Sequence, residues 1–240
     1  MKCALVCIAK NEDHYIEEWI NYHKRIGFDD IVIYQNDWRY SGDDVIKFII
    51  DGDEKQPLAY NDFLKNHSKE YDWIAFFDVD EFLVLKKHDN LHSLLEEYND
   101  AESLAINWVI FGSNGHETVI KNNYNVLSRF TKRGKAVDDH IKIIVNTKYL
   151  NSRTKFINPH FVGGLSWIDS NSRRGNGPFN EFGSDDVVQL NHYFGKSTEE
   201  YKEKLKRGRS DSIQLKRTQE DYEQYDQNEI VDFSALILSK

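Results

Sequence analysis

Two carboxylates one residue apart, Asp78 and Asp80, end an apolar run made of Trp73, Ile74, Ala75, Phe76 and Phe77. Burying a carboxylate is costly unless a cation or a hydrogen-bond donor meets it. Oxygen ligands at this spacing suit a hard divalent ion, Mn²⁺ or Mg²⁺, that also holds phosphate oxygens. Such an ion would neutralise charge developing on a departing diphosphate. A bare D-x-D triplet is more often a solvated turn, with Glu81 simply in water. The apolar strand in front and Glu81-Phe82-Leu83 behind favour a metal site.

The carboxylates need elements that place them. Residues 71–77 read as a buried strand, and in open α/β sheets ligands lie beyond the carboxyl ends of strands. Residues 3–9 read as a buried parallel strand. Residues 10–13 form the turn after it, where Asn11 or Asp13 can cap the next helix. Tyr15, Ile16, Trp19, Ile20, His23 and Ile26 recur at helical spacing, and Gly27 ends the run. A second strand at 30–34 completes a βαβ unit with a right-handed crossover. Asn36 and Asp37 follow it. An acid at that place can accept ribose or base hydrogen bonds, and a surface turn accounts for it as well.

Further along, helices are expected over 58–68 and 91–98, and strands over 104–111 and 141–145. Residues 45–50 read as a helix end or a third strand. Residues 129–135 read as a basic loop, and Gly163-Gly164 as a tight turn. The Gly-, Asn- and Ser-rich loop 171–183 is of a kind that often carries function. Residues 187–194 lead into a helix capped by Ser197 or Thr198, with Glu199 and Glu200 near its start. The end of the chain reads as mostly helical and charged, closing on Phe233, Leu236, Ile237 and Leu238.

The 240 residues suffice for one α/β domain with a full core. No linker or internal repeat is visible, so one domain over 1–208 with a C-terminal helical extension over 209–240 is expected. A net charge of -9 argues against nucleic-acid binding in general, although a bound metal can reverse the local field. Cys3 and Cys7 are spaced too widely for a C-x-x-C motif and have no partner cysteines, so they read as buried free thiols. No stretch approaches the ~20 apolar residues of a membrane span, and the first apolar run lacks a cleavage site. A cytoplasmic protein is expected. Its basic 202–217 segment and apolar end offer peripheral contact with the inner face of the membrane, while helix packing within the domain is the plainer account.

The string Asp78-Val79-Asp80-Glu81-Phe82 resembles the metal and nucleotide-sugar signature of GT-A-type glycosyltransferases. The resemblance is strongest to glycosyltransferase family 92 and the related family-2-like bacterial enzymes. A second string, His192-Tyr193-Phe194-Gly195-Lys196-Ser197 with Lys204, Arg207 and Gly208 after it, resembles the same group, as does the segment from Asn107 to His116. The resemblance spans the first strand to about Gly208. It implies an α/β GT-A fold, Rossmann-like, with a mostly parallel central sheet flanked by helices. By the same resemblance Asp80 is a direct metal ligand, Asp78 is shared between metal and ribose, and His192 is the third ligand. Asn11 and Glu12 would meet the nucleotide, and Lys196 and Arg207 its phosphates. Tyr193, Arg129, Lys142 and His160 would shape the pocket, and Trp108 would stack on an acceptor sugar. Helix caps, core filling and solvated helix faces are the ordinary roles of these residue types.

The implied reaction moves a hexose from a nucleotide-diphosphate sugar, a UDP-sugar foremost, to a saccharide or glycolipid hydroxyl. Inversion and a context in surface polysaccharide or lipid-linked glycan synthesis follow from the resemblance alone. An inverting transfer needs a base. His116, Glu117 and Asp139 are the candidates, with Asp185 and Asp186 behind them, and no spacing rule selects one. Two rivals stand beside this reading. A nucleotidyltransferase would want a Gly-rich basic first loop, which Ala9-Lys10-Asn11-Glu12 is not. A non-catalytic carbohydrate-binding or scaffold protein would keep the fold without turnover.

Overall fold

Successive residues of β1 (Cys3–Ala9) face opposite sides of the central sheet, as the pleat requires. Cys3, Leu5, Cys7 and Ala9 pack into one core with Trp19 and Ile20 of α1 (Ile16–Ile26). Ala4, Val6 and Ile8 pack into a second core with Ala59, Tyr60 and Phe63 of α2 (Gln56–Asn66). Helices therefore cover both faces of a strand that is apolar throughout, the arrangement that parallel sheets demand. The computed structural model describes residues 1–120, 123–208 and 216–238, and the backbone alone at Arg207.

β1 pairs in parallel with β2 (Asp30–Gln35) on one side and with β4 (Trp73–Phe76) on the other, and β2 pairs in parallel with β3 (Ile46–Ile49). Beyond β4 the antiparallel β8 (Ile141–Asn146) joins β6 (Ser103–Ile110). The path ends at β11 (Trp167–Ile168), parallel to β6, and β12 (Arg174–Gly175). The carboxyl half of β6 carries β13 (Val188–His192), which pairs in turn with β5 (Glu81–Leu85). The result is the mixed α/β architecture expected, with a mostly parallel central sheet. A β-hairpin, β9 (Lys155–Asn158) with β10 (Phe161–Gly163), lies against α2, and Gly164 turns out of it at φ +87°.

Several local expectations are corrected. Neither Asn11 nor Asp13 caps α1. The N-cap is Tyr15 without a side-chain bond, and the Asp13 carboxylate instead accepts Trp38 Nε1–H at 2.9 Å. Residues 45–50 hold a strand, not a helix end. Residues 129–135 are not a free loop. The short helix α4 (Val126–Arg129) runs into β7 (Lys132–Arg133), which pairs with β14 (Ile230–Val231) near the end of the chain. The C-terminal stretch is thus only partly helical: α6 (Gln219–Tyr225), then β14, then α7 (Ser234–Leu238), which packs against β5. Part of the basic 202–217 segment lies outside the described residues. Among those described, no helix is long and apolar enough to cross a membrane.

The strand β5, directly behind the carboxylates, has no sequence signal beyond Phe82-Leu83-Val84-Leu85. Its outer edge is closed by side chains of α1. Trp19 Nε1–H donates to Glu81 O and Tyr22 Oη–H to Leu83 O, both at 2.8 Å. Such donors satisfy an edge that would otherwise be open to another strand. α3 (Leu91–Glu97), capped by the Asn90 side chain, buries Leu91, Leu94 and Leu95 in the same core as α1.

Candidate active site

The parallel register sets the site. Val6 lies opposite Phe76, so the turns leaving β1, β2 and β4 emerge on one edge of the sheet. There they line a cavity of about 240 Å³ with Lys10, Glu12, Asn36, Gln56, Asp78 and Asp80 on its walls. Trp108 from β6, His140 from the turn before β8, His160 from the hairpin, His192 at the end of β13, Lys204 from α5 (Thr198–Arg207) and, from the returning chain, Arg217, Asp221 and Tyr225 also line it.

Asp78 is held from three sides. Its Oδ1 accepts Gln56 Nε2–H at 2.5 Å, and its Oδ2 accepts the Lys142 ammonium at 2.9 Å. Its backbone N–H donates to Glu81 Oε2 at 2.9 Å. Glu81 is wholly buried, and its Oε1 accepts Trp108 Nε1–H at 2.8 Å. The solvated Glu81 of the plainer sequence reading is thereby corrected: this carboxylate is the strut that fixes the D-x-D turn. Burial pushes the Glu81 carboxyl well above its ordinary range against the pull of Lys142, and Asp78 and Asp80 add to the rise. For Asp78, burial is the largest influence and works against ionisation, but the charge and hydrogen bond of Lys142 together leave the carboxyl below its usual range.

Asp80 is nearly buried and meets two partners. The Lys204 ammonium sits 2.6 Å from Oδ2, and His192 Nε2 sits 3.7 Å from Oδ1. Burial opposes ionisation here too, but the Lys204 ammonium, by its charge and its hydrogen bond, holds the carboxyl well below the usual range. Burial lowers the His192 pKa to about 3, so the ring is neutral and offers a lone pair. His192 Nδ1 is itself buried without a hydrogen-bond partner. An ionised carboxylate and a neutral imidazole facing one another across a gap too wide for a hydrogen bond, beside a second carboxylate, fit a divalent cation's donor set.

The structure brings Glu12, Asn36, Asp78, Asp80, Trp108, His160 and His192 into this one cavity, and it commits some of them elsewhere. The Asn36 amide donates to Ile50 O and Gly52 O, each at 2.7 Å. Asp37 does not line the cavity and pairs at 2.8 Å with Lys10, which does. Trp108 is 7 % exposed and flanked by His140, His160 and His192, so little of its face is open to a sugar. Lys142 lies beneath the cavity, wholly buried, and acts through Asp78.

Other residues stand apart. Asn11 and Lys196 line a neighbouring cavity with Tyr15 and Tyr124, and Glu12 and Lys204 border both. Lys196 lies over the Tyr15 ring at 4.4 Å. Arg129 is buried in a forked pair with Glu200, which also closes the capping box of α5 with Ser197. This pairing, rather than a pocket ligand, absorbs the guanidinium. His116 and Glu117 lie in the turn after β6, held by Arg129 O and by Glu199 N–H, away from the cavity lining. That turn is pinned by the returning chain, with Ser113 N–H on Asp226 and Asn114 N–H on Asn228. Asp139 is half-exposed beside His140 without lining the cavity, and Asp185 pairs with Arg133 and Lys86. Tyr193 is buried against Phe82 and Phe111. The Arg207 side chain lies outside the described residues.

Lining residues not singled out for chemistry from sequence include Lys10, Gln56, His140, Lys204 and Arg217. Gln56 opens α2 beside Pro57 and gives no signal of its own. The Asp138-Asp139-His140 triplet directly before a strand was such a signal for His140.

A search against family models matches residues 54–214 to glycosyltransferase family 92. A glycosyltransferase family 92 protein of Ricinus communis is 26% identical over 221 residues, covering 85% of this chain and 37% of that protein. One of Oryza sativa subsp. japonica is 24% identical over 227 residues, covering 85% and 35%. The chain therefore spans little more than a third of the length of these relatives. Among solved structures, S. aureus TarS overlays with a TM-score of 0.44 at 12% identity, over 85% of this chain and 38% of that one. The assignment rests on the sequence match, which takes in the paired aspartates, His192 and Lys204: the chain belongs to glycosyltransferase family 92.

Proposed function

We propose that this cavity binds a nucleotide-diphosphate sugar, a UDP-hexose foremost, through a divalent cation, and passes the hexose to a saccharide hydroxyl with inversion. The observation that carries the reading is that Asp78, Asp80 and His192 line one cavity at the carboxyl edge of the sheet, with both aspartates held by buried partners. Asp80 and His192 would hold the ion, with Asp78 adjoining. Mn²⁺ or Mg²⁺ there would offset the charge on the departing diphosphate.

The chain's own residues do the rest. Gln56 and Lys142 keep Asp78 ionised and oriented. Glu81 locks the turn that presents both aspartates, so no reorganisation is needed when donor arrives. Lys204 and Lys10 supply positive charge on the cavity wall, suited to phosphate oxygens. Glu12 and Asn36, at the ends of β1 and β2, lie where a nucleoside would sit. The first loop is Ala9-Lys10-Asn11-Glu12 and not the Gly-rich basic loop of a triphosphate grip, which favours the transferase over a nucleotidyltransferase.

The test is release of free UDP from a panel of UDP-hexoses by the full chain in Mn²⁺. Turnover of at least one donor, abolished by EDTA, is expected. Metal-dependent UDP binding with no turnover of any of them would leave a carbohydrate-binding or scaffold protein.

A further inference from the structure

We infer that His140, oriented by Asp138, is the base that takes the proton from the acceptor hydroxyl. The inference rests on the transferase reading and adds the residue that reading lacks. His140 lines the cavity together with Asp78, Asp80 and His192. Its Nδ1 lies 2.8 Å from Asp138 Oδ1, and the same oxygen accepts the His140 backbone N–H at 3.0 Å. An ionised carboxylate can only accept, so Nδ1 carries the hydrogen and Nε2 keeps the lone pair. Burial alone would raise the Asp138 carboxyl, and the hydrogen bonds from His140 more than offset it.

The ring is clamped. Trp108 stacks on it at 5.0 Å and 22°, and Phe179 meets it edge-on at 4.9 Å. Asn107 Nδ2 donates to both Asp138 O and Asn180 O, tying the turn that carries the dyad to the loop that carries Phe179. Trp108 also touches His192 at 4.1 Å. One indole thus contacts both the proposed base and a residue of the proposed cation site. Phe179, half-exposed, extends an apolar surface from the dyad toward solvent, where the apolar face of an incoming sugar can rest.

The other histidines are worse placed. His160 spends Nδ1 on Ile141 O, and burial lowers its pKa to about 4. His192 faces Asp80. The charged and titratable groups around His140 are Asp138, Asp139 at 3.4 Å and the His160 ring at 5.5 Å.

In the step, the acceptor O–H bond breaks and its proton passes to His140 Nε2. The freed oxygen pair forms the new bond to the anomeric carbon. The bond from that carbon to the diphosphate oxygen breaks, and its electron pair leaves on the diphosphate. The imidazolium then returns its proton to solvent.

The test compares wild type, His140→Gln, His140→Ala and Asp138→Asn. UDP-glucose, UDP-galactose and UDP-N-acetylglucosamine serve as donors, and 4-nitrophenyl glucoside and galactoside as acceptors. The substitution His140→Gln should lower kcat for transfer by ~10²–10⁴-fold. Affinity for UDP with Mn²⁺, by calorimetry, should stay unchanged. Added imidazole should restore part of the activity of His140→Ala, which a purely structural role would not allow. Asp138→Asn should lower kcat more than it raises KM. Transfer by His140→Gln at the wild-type rate, or loss of UDP binding in place of loss of kcat, overturns the assignment. If the wild type itself turns over no donor, the transferase reading falls, and the base with it.

Discussion

The Lys204 ammonium lies 2.6 Å from Oδ2 of Asp80 and 2.7 Å from the carbonyl of Phe194, so the carboxylate proposed to hold a metal already holds a cation of the chain's own. Burial lowers the Lys204 pKa to about 8 against the pull of Asp80, and the pair forms without any ligand. An arriving divalent ion must share Asp80 with this lysine or displace it toward the phosphates.

A substitution that keeps the length of Lys204 and removes its charge therefore changes cation binding before any chemistry. Lys204→Met is expected to bind Mn²⁺ about tenfold more tightly in the absence of nucleotide, a change of about 1.4 kcal/mol. Titration calorimetry on the nucleotide-free protein reads it directly. Equal or weaker Mn²⁺ affinity would mean that the ammonium and the metal do not compete for Asp80.

Glu81 makes a prediction about stability. Its two carboxylate oxygens each accept an N–H, one from Asp78 and one from Trp108. A glutamine has a single acceptor oxygen, so one of these buried donors would face an NH₂ group. Glu81→Gln should cost about 1–3 kcal/mol in urea unfolding, the price of a buried unsatisfied group. An unchanged midpoint would show that the strut is dispensable.

Much of the fold was legible before the structure. β1, α1, β2 and the strand before Asp78 carry clear periodicity or clear apolar runs, and they set the edge on which the aspartates sit. What stayed hidden depends on partners far along the chain. Lys132 and Arg133 read as a basic loop because the strand that pairs with them lies at Ile230–Val231. Arg129 reads as a donor-pocket residue because Glu200, its buried partner, comes 71 residues later. Asp138 carries no mark of its own in the sequence, because nothing in a run of adjacent acids says which one turns toward the histidine. Glu81 looked solvated because its donors belong to β6 and to its own turn, and no spacing rule reports that closure.

Buried neutral histidines give the protein a pH dependence with a definite sign. Burial lowers the pKa of His23 and His192 to about 3 and of His160 to about 4, from 6.5. The unfolded chain therefore binds more protons between these values. Stability is full above pH 6.5 and is lost as pH falls below it, by up to about 1.4 kcal/mol per pH unit for each group. His23 lies on α1 against β5, with Nδ1 on Trp19 O and Nε2 facing Leu83 N–H. His23→Asn should make the slope of unfolding free energy between pH 6.5 and 5 shallower by about one such increment. An identical slope in urea titrations of the metal-free protein would contradict this account of His23.

The central claim is that Asp80 and its neighbours bind a cation that grips a diphosphate. Calorimetric titration of UDP into wild type and Asp80→Asn, each with Mn²⁺ and then with EDTA, tests it most directly, with circular dichroism confirming the fold of the variant. The account predicts binding by the wild type in Mn²⁺ only, and none by the variant under either condition. Equal UDP binding by both proteins, or binding indifferent to EDTA, would contradict it.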